Sequence, residues 1–492
     1  MAVSKTKRKF AFDVSWVFIG SGAGLAILFL RKAVLARYLG PGDLGLFSMC
    51  IMVAGIFSLV AGFGFDSAIV KYVAEYKDKE DKHKFSQYVS SAILTMAIFG
   101  IASSIILFIL SDTLASIFNM PSLSLLLKIF AFTFPFSLII TIVFGFLNGL
   151  REMNDYTCAD ISRGSLTFLI IVIFIFTGFG VRGAVLGYTL AEIVTACIFI
   201  ILIRKYYVHF TARAYKQTTK KLISFGSRMV AGNAVNLIAN STDILLIGYF
   251  LTATDVGYYS IAIALLKPLL FIPQAIQRVT YPATTEYWSN NNRAGLNKMI
   301  NKSMKYSACL LSLIGLGVGF YAKEIITFVF GKEFIYAALP LCVLLIARVI
   351  RGGTIVSIGG SLAGAGRPGL SLKTDAISAT ANIVLNILLI PAFGILGAAL
   401  ATAISLILGT IVFLIFIVKT LSVQIDVKWY MQITGLALTV VILFFIGGKF
   451  INHYLLGLII LSIYTAMIIK FFITKEDREM FKSLTCSLIH RR

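Results

Sequence analysis

Charged residues are scarce in this chain, and their scarcity excludes most soluble folds. Of the 492 residues, 13% are charged and 58% are hydrophobic, whereas a soluble globular domain carries about 25% charged residues. The mean hydropathy is +0.91. A surface so poor in charge must face lipid rather than water, so we interpret the chain as an integral membrane protein.

Motifs of catalysis and of metal or nucleotide binding are also missing. There is no GxxxxGK[ST] phosphate loop and no HExxH zinc motif, and the four His lie in loops or at the ends. The six Cys are scattered without CxxC spacing, which argues against a metal site and against a disulfide framework. We therefore expect no enzyme activity, no cofactor and no metal.

Long apolar runs dominate what is present. A helix needs about 20 apolar residues to cross a bilayer, and windows of that length predict about fourteen transmembrane helices in an all-α integral membrane fold. The runs lie near 14–36, 45–66, 87–110, 124–149, 158–178, 183–203, 222–249, 257–280, 303–322, 336–362, 373–391, 395–418, 429–448 and 453–473.

The Lys and Arg residues that produce the net charge of +22 lie mainly between these apolar runs. Lys and Arg accumulate in alternate connections, as they do in the cytoplasmic loops of membrane proteins. This bias predicts a multi-pass protein of the cytoplasmic (inner) membrane with both termini in the cytoplasm. It also accounts for the basic charge without a nucleic-acid partner.

An internal repeat predicts the domain organisation. Asp43-Leu-Gly-Leu-Phe-Ser48 recurs as Asp255-Val-Gly-Tyr-Tyr-Ser260, and three later matches keep an offset of about 212 to 215 residues. They pair Gly145–Gly149 with Gly360–Gly364, Asp160 with Asp375, and Gly183 with Gly397. Six runs fit in each period, which predicts two parallel six-helix bundles with a cavity between them. We expect an N-terminal bundle over 1–206, a C-terminal bundle over 207–421, and two additional helices with a cytoplasmic tail over 422–492.

Several polar and ionisable residues fall inside the apolar runs, where they are costly and commonly functional. In the seventh run, Asn236, Asn240 and Asp243 lie on one helical face, although hydrogen bonding between helices would also explain the Asn. We predict that the substrate-binding residues are Arg31, Arg228, Asn236, Asn240, Asp243, Lys267, Arg348, Arg351 and Asn382. Cations outnumber acids within the runs, which favours an anionic ligand such as a phosphate or pyrophosphate.

Three segments resemble a known transporter family. The segment Ala36–Ser48 resembles the signature of polysaccharide flippases of the O-antigen and teichoic-acid type. Phe63–Ile69, and the segment from Asp243 through Gly257–Ser260, are similar to later landmarks of that family. The resemblance covers essentially the whole chain. It implies the superfamily of multidrug, oligosaccharidyl-lipid and polysaccharide exporters, whose two six-helix bundles enclose a V-shaped central cavity.

The resemblance also implies a function. A flippase of this kind moves a polyprenyl-(pyro)phosphate-linked oligosaccharide across the membrane by alternating access, for synthesis of cell-surface polysaccharide or glycoconjugates. Arg31, Arg228, Lys267, Arg348 and Arg351 would contact the phosphate and sugar. Expected partners are the lipid-linked glycan, membrane lipid, and glycosyltransferases or a polymerase. Three alternatives remain open: a cation-coupled multidrug exporter, a lipid II flippase, and a membrane scaffold for glycosyltransferases.

Overall fold

The chain is described here by a computed structural model that covers residues 2–77, 82–204, 212–448, 450 and 452–472. Every regular element in these ranges is helical, which confirms the all-α class. The first helices are α1 (Ala2–Gly62), α2 (Phe65–Tyr76), α3 (Lys82–Ile117), α4 (Pro121–Ala131), α5 (Phe134–Leu150), α6 (Met153–Phe174), α7 (Gly180–Ile203), α8 (Ala212–Phe250) and α9 (Ala253–Leu266). They are followed by α10 (Phe271–Ser289), α11 (Arg293–Phe320), α12 (Ala322–Val329), α13 (Ala338–Arg351), α14 (Ser361–Gly364), α15 (Pro368–Leu421), α16 (Val427–Gly447) and α17 (His453–Met467).

Nine helical segments of the described residues are long and apolar enough to cross a membrane, or ten if the bent pair α4 and α5 forms one crossing. Some of these segments join consecutive helices, such as α6 with α7 and α9 with α10. Their surfaces are apolar where no other helix covers them. Ile109 on α3 is 68% exposed and Phe445 on α16 is 71% exposed. Such exposure of large apolar side chains is suited to lipid and unsuited to water. The multi-pass membrane fold is therefore confirmed, while the number fourteen stays a prediction.

Two of the long helices fold back on themselves. A straight helix of 54 residues, the length of α15, would measure about 80 Å, against about 30 Å of hydrocarbon. Gly394 interrupts α15 with a φ of 59°, and Ser378 before it donates a hydrogen bond of 2.9 Å to the carbonyl oxygen of Ser405 after it. In α1, Gly40 has a φ of 70°, and Lys32 donates to Ser48 across the break at 2.9 Å. Each helix is thus two antiparallel arms joined at a glycine.

The pair α6 and α7 is a third hairpin, and it matches α15 in detail. A methyl group on Gly183 would overlap the carbonyl oxygen of Phe174, and one on Gly397 would overlap that of Leu389. Gly183 and Gly397 are the pair that the repeat aligned. Both glycines permit the close backbone approach of the two arms of a helical hairpin. These two residues, which the repeat aligns, therefore lie at similar places in two hairpins.

The two copies of the first repeated motif pack directly against each other. Gly45 on the second arm of α1 faces the backbone of Ala253, and Gly257 on α9 faces that of Pro41. A methyl group at either glycine would overlap the carbonyl oxygen opposite it. Small residues allow this close packing where lipid supplies no hydrophobic drive to helix association. The repeat therefore marks a helix–helix contact.

The chain divides into two compact units. The first comprises Met1–Lys267, Ile326–Leu341 and Asp375–Ser405, and the second comprises Pro268–Ile325, Cys342–Thr374 and Leu406–Arg492. These boundaries differ from those of the predicted bundles at 206 and 421, which remain a prediction. The Phe65, Ile69 and Phe146 side chains are central to the core of the first unit.

The second unit has its own apolar core and a polar connection at one edge. Leu296 and Ile300 on α11 belong to this core. Between α15 and α16, Asp426 accepts a hydrogen bond of 2.6 Å from Lys305. This bond is the main reason that the pKa of the Asp426 carboxyl lies below its usual range.

The predicted eighth run, 257–280, is not one continuous helix. After Leu266 the chain passes through a single 3₁₀ turn, Pro268–Leu270, before α10 begins at Phe271. Proline lacks the N–H that would continue the helical hydrogen bonds. The run is therefore interrupted immediately after Lys267.

Candidate functional site

A buried carboxylate in the first unit, that of Asp243 on α8, collects four hydrogen bonds. The hydroxyl of Tyr259 on α9 donates to one carboxylate oxygen at 2.8 Å, and the hydroxyl of Thr402 donates to the same oxygen at 2.6 Å. The amides of Asn382 and Asn386 donate to the other oxygen at 3.0 and 2.8 Å. Asp243 is 6% exposed, so the charge is solvated by side chains in place of water.

The hairpin of α15 brings these donors together. Asn382 and Asn386 are one turn apart on its first arm and therefore share a face. Thr402 lies on the second arm, and Asn382 also donates to its hydroxyl oxygen at 3.0 Å. The break at Gly394 places the two arms side by side. The cluster thus ties α8, α9 and both arms of α15 to one negative charge.

Sequence reasoning found part of this cluster. It predicted Asp243 and Asn382 as substrate-binding residues, and the structure brings them into contact, but with both side chains buried. It did not predict a role for Thr402, which is one of several hydroxyl residues on the second arm of α15 and has no distinguishing signal in the sequence. Among the described residues, no group of three or more His, Cys, Asp or Glu could hold a metal ion.

A second feature of the first unit is a group of three basic residues, two on α1 and one directly after α9. Arg31 and Lys32 lie on the first arm of α1, and Lys267 follows α9. The charge of Lys267 interacts with those of both Arg31 and Lys32. The guanidinium of Arg31 also lies 5.9 Å from the ring centroid of Tyr188. Like charges gathered in a membrane repel each other, and an anionic ligand would relieve that repulsion.

Tyr188 connects these cations to a cavity of about 440 Å³ in the first unit. Its polar lining includes Arg163, Tyr188, Asp66, Ser58, Thr133, Ser137 and Thr141. Arg163 on α6 donates to Glu192 on α7 at 2.8 Å, and Glu192 is 1% exposed. Small-molecule sites commonly occupy about 300–1,000 Å³. Hydroxyl groups beside a held guanidinium suit a sugar or a phosphate ester.

The other predicted residues lie elsewhere. Arg228 on α8 lines a separate pocket with Lys71 of α2. The side chains of Asn236 and Asn240 fall outside the described part of the chain. Arg348 and Arg351 end α13 in the second unit, where both are partly buried. A hydrogen bond joins Asp243 to Asn382, and Lys267 lies within electrostatic range of Arg31. The binding roles of all nine residues remain predictions.

The chain is similar over most of its length to two relatives whose names refer to glycan transport. A probable low-salt glycan biosynthesis flippase of Haloferax volcanii is 25% identical over 412 residues, which cover 83% of each chain. A putative O-antigen transporter of Shigella flexneri is 22% identical over 414 residues, which cover 80% of this chain and 94% of that protein.

Among solved structures, a lipid II flippase in an inward closed conformation has a TM-score of 0.73 at 19% identity, covering 93% of this chain and 100% of that one. A multidrug resistance transporter of the MATE family has a TM-score of 0.67 at 17% identity, covering 81% of this chain and 94% of that one. These likenesses confirm the fold that the resemblance implied.

The family follows from the match of the sequence itself. Residues 11–288 match the polysaccharide biosynthesis protein family, and this range is more than half of the chain. It includes Ala36–Ser48, Phe63–Ile69 and Gly257–Ser260, the three segments on which the resemblance was based. The chain is therefore a multi-pass membrane protein that belongs to the polysaccharide biosynthesis protein family.

Proposed function

We propose that this chain is a flippase that moves a polyprenyl-(pyro)phosphate-linked oligosaccharide across the cytoplasmic membrane by alternating access. The glycan and its phosphate would cross through the polar interior of the protein while the polyprenyl tail stays in lipid. The relatives named as a glycan biosynthesis flippase and an O-antigen transporter support this substrate class. The product would serve the synthesis of surface polysaccharide or glycoconjugates.

The observation that carries the proposal is the cationic group of Arg31, Lys32 and Lys267. Two of these cations lie on α1 and one lies after α9, and their charges interact. Basic side chains in the membrane-spanning part of a protein are costly and commonly functional, and an anion beside them would offset that cost. The phosphate or pyrophosphate that links a glycan to its lipid is such an anion. The adjoining cavity, with its hydroxyl groups and Arg163, would hold sugar.

The same charges argue against multidrug export. A cavity that selects cationic drugs needs acidic side chains, because like charges repel. No carboxylate lies between Asp13 and Asp43 in the first run, and the buried Asp243 is enclosed by its four donors. Asp66 is the one acidic residue among the described residues that line the cavity, and it shares that lining with Arg163. A lipid II flippase shares this fold, but at 19% identity that likeness bears on the fold alone. The named relatives favour another lipid-linked glycan.

The proposed function also specifies the membrane in which the protein lies and the side on which its termini lie. The distribution of Lys and Arg favours the cytoplasmic membrane with both termini inside. Glycosyltransferases that build the lipid-linked glycan on the cytoplasmic face, and a polymerase that uses it outside, would be functional partners. A reporter fused to each terminus would check the orientation, since both fusions should be active only on the cytoplasmic side.

Removing the cations should block export in cells. We expect Arg31→Ala/Lys267→Ala to lower the amount of surface glycan about tenfold or more, because each lost charge-assisted contact is worth about 1.5–3 kcal/mol. The lipid-linked precursor should then accumulate on the cytoplasmic leaflet. The measurement is the amount of surface glycan, together with the amount of lipid-linked precursor protected from an impermeant glycosidase, in cells that carry the variant as the only copy.

The matched control is Lys128→Ala/Arg182→Ala, which removes two positive charges from sites apart from the cationic group. Lys128 pairs with the exposed Asp112, and Arg182 is exposed. This control should export normally at equal protein levels. Normal export by Arg31→Ala/Lys267→Ala at a normal protein level would rule out the cationic group as the binding site.

A further inference from the structure

The pocket that contains Arg228 is separate from the cavity beside Arg163, and it is strongly basic. It has a volume of about 410 Å³. Its described lining residues are Lys71, Tyr72, Gln217, Lys220, Lys221, Ser224, Phe225 and Arg228, and none of these is acidic. We call this site the basic pocket.

The basic pocket is built by the packing of α2 against α8. Gly226 approaches Phe63 so closely that a methyl group on it would overlap the Phe63 carbonyl oxygen. Along α8, Gln217, Lys221 and Ser224 are spaced by four and three residues and so share one face with Arg228. Lys71 comes from α2, and the pocket therefore collects cations from two helices.

Aromatic rings hold part of the pocket in place. The ammonium of Lys71 lies 4.5 Å from the ring centroid of Phe225 and 5.0 Å from that of Tyr72. The Tyr72 ring in turn stacks on Tyr88 at 4.5 Å. Cation–π contacts of this kind orient an ammonium without neutralising its charge. The positive charge of Lys71 thus remains available to an anion.

The accumulation of Lys and Arg in cytoplasmic loops accounts for the presence of these residues in the basic pocket, but not for their arrangement. Orientation in a membrane requires only that cations are numerous in the inner connections. It does not require Lys71, Lys220, Lys221 and Arg228 to surround one concavity, where they repel each other. The residue types at this site, Arg and Lys with hydroxyl and amide groups, are those that bind phosphate.

We propose that the basic pocket binds the phosphate or diphosphate ester group of a membrane lipid. Two lipids offer this chemistry, namely the lipid-linked glycan before it enters the cavity, and an anionic phospholipid. The cytoplasmic location of the pocket rests on the orientation given with the proposed function. The binding site itself does not, because its residues and volume are independent of transport.

The test measures binding without transport, so a failure here is distinct from a failure of the flippase function. The full-length protein is placed in phosphatidylcholine nanodiscs and titrated with inorganic pyrophosphate in a calorimeter. We expect Lys221→Gln/Arg228→Gln to weaken pyrophosphate binding about tenfold or more. The matched control Arg204→Gln/Lys216→Gln, which removes two exposed cations outside the lining, should bind as the wild type does.

A second arm identifies the lipid. Native mass spectrometry counts phosphatidylglycerol retained after release from mixed phosphatidylcholine and phosphatidylglycerol discs. Loss of one retained phosphatidylglycerol in Lys221→Gln/Arg228→Gln alone, with weaker pyrophosphate binding, supports a phospholipid headgroup. Weaker pyrophosphate binding with unchanged lipid retention supports the lipid-linked glycan. Equal pyrophosphate binding by the pocket variant and the wild type would overturn the proposal.

Discussion

Gly45→Ala and Gly257→Ala are each expected to lower the stability of the protein by about 3 kcal/mol, the upper end of the usual cost of overpacking. At each position a methyl group would overlap a backbone carbonyl oxygen, that of Ala253 for Gly45 and that of Pro41 for Gly257. A backbone atom cannot turn aside as a flexible side chain can, so α1 and α9 would have to separate. The measurement is thermal unfolding of the purified protein in detergent.

Gly435→Ala is the matched control for this prediction. Gly435 lies on α16, and a methyl group there would have no neighbour within 4 Å. Because Ala favours a helix over Gly by about 1 kcal/mol, this variant should be as stable as the wild type or slightly more stable. If Gly45→Ala and Gly257→Ala unfold at the same temperature as Gly435→Ala, then the contact between the two repeated motifs does not hold the fold together.

Asp243→Ala is expected to destabilise the first unit and to abolish transport. The substitution removes the shared acceptor of four donors, and each buried donor left without a partner costs about 1–3 kcal/mol. Asp243→Asn keeps one carbonyl oxygen and should fall between Asp243→Ala and the wild type. Unfolding temperature and transport should be measured on the same preparations.

Asp112→Ala provides the comparison for Asp243→Ala. Asp112 is also paired, but its side chain is 70% exposed, and exposed ion pairs add little stability. Its unfolding temperature should match that of the wild type. An Asp243→Ala protein as stable as Asp112→Ala would show that the buried hydrogen bonds do not stabilise the fold.

The sequence predicted the fold class because the signal for membrane helices is strong and local. Apolar runs of about 20 residues and the breaks between them identify helices wherever they occur. Gly183 and Gly397, which the repeat aligned, each lie at the close backbone approach of a helical hairpin, while the division into two six-helix bundles stays a prediction. What periodicity could not predict is the interruption after Lys267, because a proline can kink a helix or end it.

The candidate site was less predictable, because it depends on contacts between distant segments. A helical face shows that Asn382 and Asn386 point the same way, but it does not show that Asp243 lies opposite them. Likewise, a count of cations in the runs does not separate the group around Arg31 from the basic pocket around Arg228. Only the packing of α2 on α8 makes Arg228 part of a different site.

The most direct test of the flippase assignment is translocation by the purified protein. Proteoliposomes would carry a fluorescent polyprenyl-diphosphate-linked oligosaccharide, and an impermeant reagent would report the glycan exposed outside. We predict that wild-type vesicles expose the inner-leaflet glycan with time, whereas vesicles with Arg31→Ala/Lys267→Ala expose only what was outside at the start. Wild-type vesicles that keep the inner-leaflet glycan protected, as protein-free vesicles do, would contradict the assignment.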